Sequence, residues 1–265
     1  MQEFGLGKRL EGRTAIITGG AGGIGSATAK MLAAHGANII IADINEDAAN
    51  KVVPVVESIG SKGRAVQHDV GSEESWKHVI SEAASEFGGL DILVNNAGLH
   101  RETPFGKISL AEWDEVMRVD LSGAFIGIRE AAPKIAERGG GSIVNISSIA
   151  ARIGGSFAHY SAAKAGMIAL TRSAAIEFAP RKVRVNTVLP GLIETALTRQ
   201  LLSQPALARA MADPIPLPYL GQPQDIAAAI LFLCSEESRF MTGAEMTIDG
   251  GLTATAGPKL DELER

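Results

Sequence analysis

Short runs of β-branched and aliphatic residues alternate along the chain with longer segments of helical periodicity. Seven such runs read TAIIT, NIIIAD, RAVQHD, LDILVNN, SIVNIS, VRVNTVL and EMTID. Most of them are apolar at consecutive positions, which is typical of strands that are buried on both faces of a parallel sheet. The alternation is that of repeated β-α-β units. The pattern therefore predicts an α/β fold with a doubly wound parallel sheet.

The length of the chain fits one large domain. Its 265 residues lie within the range of a single α/β domain with one core. There is no low-complexity linker and no repeat of fixed period. Two segments look irregular, because residues 192–222 are rich in leucine, alanine and proline and residues 256–265 form a polar tail. We expect one domain over residues 1–265 with a mobile tail.

Composition and charge narrow the classes of function. The proportions of hydrophobic and charged residues are ordinary for a soluble protein, and only the 30 glycines stand out. The net charge is −5, whereas nucleic-acid binders usually carry a basic excess on at least one face. We therefore expect no nucleic-acid partner.

The sequence shows no targeting segment. MQEFGLGKRLEGR lacks the apolar core of a signal peptide, and the longest apolar run, Ile226 to Cys234, is too short to span a bilayer. The lone cysteine cannot form an internal disulfide, which suits a reducing compartment. The five histidines lack the spacing of metal ligands. These features predict a cytoplasmic protein with no membrane partner and no metal site.

A glycine cluster follows the first predicted strand. It reads TGGAGGIGSATAKML and runs directly into an amphipathic helix. Glycines allow a tight turn and let backbone N–H groups at a helix N-terminus approach a phosphate closely. Two registers fit: G-x-G-x-x-G through Gly20, Gly22 and Gly25, or T-G-x-x-x-G-x-G through Thr18, Gly19, Gly23 and Gly25. The loop is a candidate phosphate cradle, and a turn needed only for helix–sheet packing is the alternative.

The second predicted strand adds a carboxylate to this candidate site. NIIIAD ends in Asp43, 18 residues after Gly25. A carboxylate there can accept hydrogen bonds from adenosine ribose hydroxyls and would repel a 2′-phosphate. We therefore expect the cofactor to be NAD in preference to NADP. Asp43 could instead cap the following helix, but Asn45 suits that role better.

A tyrosine and a lysine lie four residues apart in HYSAAKAG, residues 159–166. In a helix, Tyr160 and Lys164 would project from the same face. A free phenol ionises near pH 10, so it needs a positive neighbour to serve as a base at neutral pH. An ammonium about 4 Å away would stabilise the charged phenolate by roughly 4 kcal/mol of Coulomb energy at an effective dielectric of about 20. The pair could therefore move a proton to or from an alcohol or carbonyl, and an exposed helix pair is the alternative.

Two adjacent serines end the fifth predicted strand, GSIVNISS. Ligands of open α/β sheets sit at the carboxyl ends of the strands. A hydroxyl of Ser147 or Ser148 is thus a candidate to orient the substrate oxygen beside the nicotinamide.

Together these motifs resemble the short-chain dehydrogenase/reductase family, from Gly12 to about Thr253. TGGAGGIG resembles the T-G-x-x-x-G-x-G loop, so the second register is preferred, and YSAAK resembles the stretch that carries the catalytic tyrosine and lysine. HDV, NNAG, PGLIET and TGAEMTIDGG also resemble family segments. The resemblance implies a Rossmann-type sheet of seven strands and, commonly, a homotetramer.

The resemblance also implies a set of site residues. Its catalytic residues are Ser148, Tyr160 and Lys164, assisted by Asp120, whose position in the family helps to hold a water that leads from the lysine to solvent. The same Tyr160 and Lys164 also contact the cofactor. The remaining cofactor-binding positions are Gly19, Gly23, Ile24, Gly25, Asp43, Asp69, Val70, Asn96, Ala97, Gly98, Ile193 and Thr195.

Two positions depart from the family pattern. The family usually places its serine thirteen residues before the tyrosine, whereas Ser148 lies twelve and Ser147 thirteen residues before Tyr160. Counting from the strand favours Ser148, which leaves the following loop one residue short. In MRVDLSG, Asp120 stands where similar proteins carry asparagine, and its charge would offset part of the effect of Lys164.

These observations predict an NAD-dependent oxidoreductase that interconverts a secondary alcohol and a ketone. Ser148 would position the alcohol, Tyr160 would remove its proton and Lys164 would bind the ribose and poise the tyrosine. A reductase of 3-oxoacyl thioesters, which would normally use NADP, is the alternative within enzymes. A nicotinamide-binding sensor without turnover is the alternative outside them.

The segment from Leu192 to Tyr219 is predicted to form a substrate lid. Its apolar residues could close over a substrate and exclude water; they are Leu197, Leu201, Leu202 and Met211. A packed structural helix is the alternative. Four polar residues close in sequence to the site could touch a polar substrate group, although surface charge is the commoner role; they are His100, Arg101, Arg152 and His159.

Overall fold

The computed structural model describes residues 8–155, 157–195, 198–199 and 203–254. Seven strands form one parallel sheet in the order β3-β2-β1-β4-β5-β6-β7. They are β1 Thr14–Thr18, β2 Asn38–Asp43, β3 Gly63–Gln67, β4 Ile92–Asn95, β5 Gly141–Ile146, β6 Val183–Pro190 and β7 Glu245–Ile248. The order reverses between β1 and β4, which is the topological switch point where doubly wound sheets bind ligands. The predicted Rossmann-type fold of one domain is confirmed.

Helices cover both faces of the sheet. They are α1 Gly23–Ala34, α2 Glu46–Ser58, α3 Glu73–Phe87, α4 Leu110–Met117, α5 Gly123–Glu137, α6 Ala158–Phe178, α7 Pro205–Ala212 and α8 Pro223–Cys234. Helices α1, α2 and α8 pack in one buried apolar cluster with one side of the strands. Helices α3, α5 and α6 pack in a second cluster on the opposite side. Burial on both sides explains the continuous apolar runs in the strand sequences.

The third strand is shorter than its sequence predicts. RAVQHD suggests a strand through Asp69, but β3 ends at Gln67. The backbone N–H of His68 still donates to the carbonyl of Asp43, while its ring lies edge-on to Trp76 and 2.7 Å from the hydroxyl of Ser75. Burial lowers the pKa of His68 to about 4. A neutral, packed histidine therefore turns the chain out of the sheet beside the end of β2.

A chain of buried polar side chains ties α6 to the sheet. Asn95 of β4 donates to Asn145 of β5, and Asn145 donates to Thr171 of α6, each at 2.8 Å. Thr187 of β6 donates to the same Thr171 hydroxyl at 2.6 Å. Buried polar groups are costly unless they are hydrogen-bonded, so this chain fixes the register of α6 over the carboxyl half of the sheet.

A π turn, Arg118–Ser122, joins α4 to α5. Such turns often lie at functional sites, and this one carries the fully buried Asp120. No helix in the described ranges is both long and apolar enough to cross a bilayer.

Candidate active site

A cavity of about 420 Å³ opens at the carboxyl ends of the central strands. The predicted site residues on its wall are Ile24, Asn96, Gly98, Ser148, Tyr160, Lys164, Ile193 and Thr195. These residues come from five separate parts of the chain, so only the fold brings them together.

The glycine loop forms the start of α1. The N-cap residue is Gly22. Because it has no side chain, it makes no side-chain hydrogen bond to the first backbone N–H groups of the helix. Gly19 has a φ of 59°, which favours glycine, and a Cβ on Gly25 would lie 2.1 Å from the Gly19 carbonyl oxygen. A Cβ on Gly23 would lie 2.9 Å from Thr195. The close approach leaves backbone N–H groups at a helix N-terminus next to the cavity, as a phosphate requires.

Asp43 bonds to the glycine loop and does not cap α2. One of its carboxylate oxygens accepts from Ala21 N at 3.0 Å and the other accepts from Asn45 N at 3.0 Å. The N-cap of α2 is Asn45, whose side chain accepts from Ala48 N. Across the part of the chain that the structure describes, no cation forms an ion pair with Asp43. Its partly exposed carboxylate retains lone pairs for further donors.

Asn96 joins the glycine loop to the end of β4. Its side-chain amide donates to the carbonyls of Thr18 and Gly19, at 2.9 and 3.1 Å. The hydroxyl of Thr18 accepts in turn from the backbone N–H groups of Asn96 and Ala97, both at 3.0 Å. NNAG therefore fixes the loop from behind, and Gly98 leaves room for Lys164, whose Nζ would lie 3.3 Å from a Cβ at that position.

Asp69 and Val70 follow His68, whose backbone N–H donates to the carbonyl of Asp43. This bond brings Asp69 and Val70 next to the end of β2. Asp69 accepts from Arg118 at 2.9 Å and from Gly71 N at 2.9 Å. Burial raises the pKa of Asp69, but the bonds from Arg118 and Gly71 outweigh that effect and lower it overall. Its side chain is thus occupied by protein partners, and Val70 is buried.

The two serines differ in what they bond. The Ser147 hydroxyl is buried and donates to the Lys164 carbonyl at 2.8 Å. Among the described residues, the hydroxyl of Ser148 makes only one short-range hydrogen bond, accepting from Ala150 N at 3.1 Å, and its side chain is partly exposed on the cavity wall. Its hydrogen therefore remains available to a ligand, which favours Ser148 over Ser147.

Lys164 lies beside Tyr160 on the same face of α6. Its ammonium is 5.3 Å from the centre of the tyrosine ring. It donates to the carbonyl of Ile146 at 3.0 Å and lies 3.3 Å from a carboxylate oxygen of Asp120. The other oxygen of Asp120 accepts from Leu99 N at 2.6 Å. The three contacts of the ammonium hold a buried positive charge next to the phenol, and the bond from Leu99 fixes the carboxylate of Asp120.

The ionisation of Lys164 follows from these contacts. Burial by itself lowers the pKa of the ammonium, but the charges of Asp120 and Tyr160 and the Asp120 hydrogen bond raise it overall. The lysine therefore stays protonated at neutral pH. Asp120 contributes to this protonation, but it also offsets part of the positive field at the phenol.

Of the four polar residues that flank the site in sequence, one reaches the cavity with ring nitrogens that bond no residue in the described ranges. His100 lies on the cavity wall, edge-on to Tyr160. The other three bond elsewhere: Arg101 pairs with Glu115, Arg152 with Glu245 and His159 with Glu112. Sequence reasoning missed Glu112, because it is 47 residues from His159 and only the packing of α4 against α6 brings them together.

The predicted lid lies only partly within the described residues. Leu197, Leu201 and Leu202 fall outside them. Met211 of α7 lines the cavity, together with Leu192. Further apolar wall residues that the sequence did not single out are Ile149, Ile153, Phe157 and Leu252. Nothing in the described ranges groups three or more histidine, cysteine, aspartate or glutamate side chains in a way that could hold a metal ion.

Comparison with known proteins places the chain in a family. A family profile described as enoyl-(acyl carrier protein) reductase matches residues 19–253. A 2,5-dichloro-2,5-cyclohexadiene-1,4-diol dehydrogenase of Sphingobium indicum is 39% identical over 93% of this chain and 98% of its own. A putative short-chain dehydrogenase/reductase from Burkholderia xenovorans superposes with a TM-score of 0.90 at 34% identity, over 94% of this chain and 100% of its own. The chain belongs to the short-chain dehydrogenase/reductase family.

Other members of the family differ in substrate. A cis-4-hydroxycyclohexanecarboxylate dehydrogenase of Sinomonas cyclohexanicum is 40% identical over 94% of this chain and 100% of its own. A 3-oxoacyl-[acyl-carrier-protein] reductase of Thermotoga maritima is 39% identical over 92% and 99%. These similar levels of identity show that family membership alone does not select among alcohol, diol and acyl-thioester substrates.

Proposed function

We propose that this protein is an NAD-dependent oxidoreductase that interconverts a secondary alcohol and a ketone. One observation carries the proposal: the buried ammonium of Lys164 lies 5.3 Å from the ring centre of Tyr160, on the wall of a cavity that also contains Ser148. A cation at that position favours a phenolate, which is what a tyrosine needs in order to take a proton near neutral pH.

The residues around the cavity fit a nicotinamide dinucleotide. A Cβ on Gly19, Gly23 or Gly25 would clash with or press on neighbouring protein atoms, so these glycines are needed for the packing of the loop. Ile24, in the first turn of α1, lines the cavity, and the N-terminus of that helix supplies the backbone N–H groups that a phosphate would need. The pyrophosphate would lie at the N-terminus of α1, and the adenosine ribose would lie against Asp43. The adenine would lie by Asp69 and Val70. The protein segment Asn96, Ala97 and Gly98 would pass beside the ribose.

Three residues complete the binding site near the reacting atoms. Ile193 and Thr195 would hold the carboxamide, and Thr195 already lies against Gly23. Ile24 lines the same cavity. The ammonium of Lys164 would donate to the nicotinamide ribose. When bound, the oxidised ring would accept the hydride that leaves the carbinol carbon.

The chain's own residues would handle the proton and the orientation of the substrate. The hydroxyl of Ser148 would donate a hydrogen bond to the substrate oxygen, and Tyr160 would take the proton from that oxygen. Lys164 would favour the phenolate by its charge and Asp120 would hold the ammonium in place. Fixing these groups on the ends of β5 and α6 supplies the orientation that such a transfer needs.

The proposed substrate is a secondary alcohol on a ring. Relatives whose names specify such compounds match nearly the whole chain, including the cyclohexadienediol and hydroxycyclohexanecarboxylate dehydrogenases, and the cavity wall beyond Tyr160 is mainly apolar. We propose that residues 192–219 form a lid over this substrate, supported by the positions of Leu192 and Met211 on the wall.

A reductase of 3-oxoacyl thioesters is the second candidate. The Thermotoga maritima relative carries that name. Such an enzyme would normally use NADP, so the cofactor preference tests both candidates. A sensor without turnover is less consistent with the observed arrangement of Tyr160, Lys164 and Ser148.

We also propose that the protein is a cytoplasmic homotetramer, in keeping with its family. The large apolar side chains that are exposed on the single chain include Phe125 of α5, Ile176 of α6 and Phe240 before β7. Burial between copies would remove them from water. Sedimentation equilibrium at micromolar concentration should give four times the chain mass of 27.6 kDa. A single-chain mass would contradict this assignment.

The first functional test uses the two tyrosines of the chain. Wild-type protein should reduce NAD in the presence of cyclohexanol or cyclopentanol. Tyr160→Phe should lower kcat by at least roughly a thousandfold, because it removes the proton acceptor, while NADH binding measured by fluorescence titration stays detectable. Tyr219→Phe is the matched control, since Tyr219, the last residue of the proposed lid segment, is exposed and does not line the cavity. Retained turnover in Tyr160→Phe would exclude the proposed base.

The second test concerns the cofactor. We expect kcat/KM to be at least about tenfold higher with NAD than with NADP, since the Asp43 carboxylate would bond the ribose hydroxyls and repel a 2′-phosphate. Asp43→Ser should reduce this preference at least about tenfold. Asp47→Ser, which removes an exposed carboxylate in the first turn of α2, should leave the preference unchanged. Equal use of both cofactors by the wild type would refute the assignment.

The third test concerns the charge of Asp120. Its carboxylate offsets part of the field of Lys164, so Asp120→Asn should move the acidic limb of the kcat/KM–pH profile to lower pH. The wild type should then have the more alkaline activity optimum of the two. Asp114→Asn, at an exposed position of α4, serves as the control. Superimposable profiles for wild type and Asp120→Asn would overturn the argument.

A further inference from the structure

The cavity wall has two chemically different ends. Around Tyr160 and Ser148 it is polar. Further out it is mainly apolar, formed by Ile153, Phe157, Leu192, Met211 and Leu252. Two polar side chains on this wall follow β4, namely His100 and Glu102.

Aromatic packing fixes the position of the His100 ring. It lies 4.9 Å from the Tyr160 ring, at an interplanar angle of 85°, and 5.6 Å from the Phe157 ring. Edge-to-face contacts of this kind hold a ring in a defined orientation. The imidazole is therefore held beside the phenol that the proposed mechanism uses, and both side chains line the same cavity.

His100 has unused hydrogen-bonding capacity. Within the described ranges, neither ring nitrogen makes a hydrogen bond or an ion pair. Burial lowers the pKa of His100, an effect that the carboxylates of Glu102 and Asp120 reduce but do not reverse. The neutral imidazole that results at pH 7 has one N–H donor and one nitrogen acceptor. It suits a hydroxyl or a carbonyl oxygen better than it suits an anion.

Glu102 adds a negative charge to this part of the cavity wall. Its side chain is exposed at the rim, and it forms no salt bridge with any residue that the structure describes. A substrate that carries a carboxylate would meet this like charge, whereas a hydroxyl would not. Across an aqueous rim the repulsion is modest and weakens with salt.

We propose that His100 is a specificity-determining residue that hydrogen-bonds a second, uncharged oxygen on a cyclic substrate, while Glu102 disfavours a carboxylate there. This inference rests on the proposed oxidation of cyclic alcohols. It narrows the substrate class to cyclic diols and hydroxyketones. A polar site built for a hydroxyl discriminates strongly against an analogue that lacks it, because its own groups are then left unpaired.

The experiment compares two alcohols in each of four proteins at saturating NAD. The substrates are cyclohexanol and trans-cyclohexane-1,4-diol, and the readout is the ratio of their kcat/KM values, which cancels general losses of activity. The proteins are the wild type, His100→Phe, His100→Asn and Arg101→Gln. Phenylalanine keeps an aromatic ring against Tyr160, asparagine keeps a donor and an acceptor, and Arg101 is the neighbouring residue that bonds Glu115 away from the cavity.

We expect the diol-to-cyclohexanol ratio to fall about fivefold to tenfold in His100→Phe, which corresponds to one lost hydrogen bond. His100→Asn should recover most of the ratio, and Arg101→Gln should match the wild type. If His100→Phe does not fold, as judged by circular dichroism, His100→Leu gives the same comparison. An unchanged ratio in the apolar variant would overturn the role of His100.

A second arm tests Glu102 with 4-hydroxycyclohexanecarboxylate. Glu102→Gln should raise kcat/KM for this substrate about threefold to fivefold relative to cyclohexanol at low ionic strength, and the gain should shrink in 0.5 M salt. No gain would remove Glu102 from the proposal.

The outcomes separate this inference from the proposed function. Oxidation of cyclohexanol with a ratio that does not respond to His100 keeps the function and rejects the inference. A wild type that oxidises neither alcohol rejects the function, and the inference falls with it.

Discussion

The buried ammonium of Lys164 is the constraint on which the rest of the site depends. It is almost fully enclosed. Two distant parts of the chain compensate it, the end of β5 through Ile146 and the π turn through Asp120, together with the Tyr160 ring one turn away on the same helix. Removing one partner of a buried ion pair costs about 3–5 kcal/mol, because the other charge is left uncompensated. In the proposed mechanism, the same charge favours the phenolate form of Tyr160.

The parallel sheet makes this convergence possible. Strands that run in one direction bring their carboxyl ends to one edge, so loops that are far apart in sequence meet there. The hydrogen-bonded chain from Asn95 through Asn145 to Thr171 then fixes α6 against β4 and β5. A helix held by buried polar bonds has little freedom to shift, and this rigidity keeps the tyrosine and the lysine in register with the serine at the end of β5.

The agreement between sequence and structure is closest where a local pattern has a local cause. The apolar runs gave the strands because both faces of the sheet are covered, and Asn45 caps α2 because its side chain reaches the backbone three residues on. Agreement is weaker where partners are distant. RAVQHD predicts a strand through Asp69, but β3 ends at Gln67, because His68 packs on Trp76. No pattern in the sequence indicates Glu112 as the partner of His159.

The sequence by itself determined the fold class, the presence of a glycine loop before α1, the position of Asp43 at the end of β2 and the spacing of Tyr160 and Lys164. Each of these features depends on residues that are close together along the chain. Tertiary structure decided which of two adjacent serines has a free hydroxyl, since Ser147 bonds the carbonyl of Lys164. It also decided which of four flanking polar residues reaches the cavity with unused bonds. Those outcomes depend on which distant group occupies each side chain, and hydrogen-bond partners across elements are set by packing.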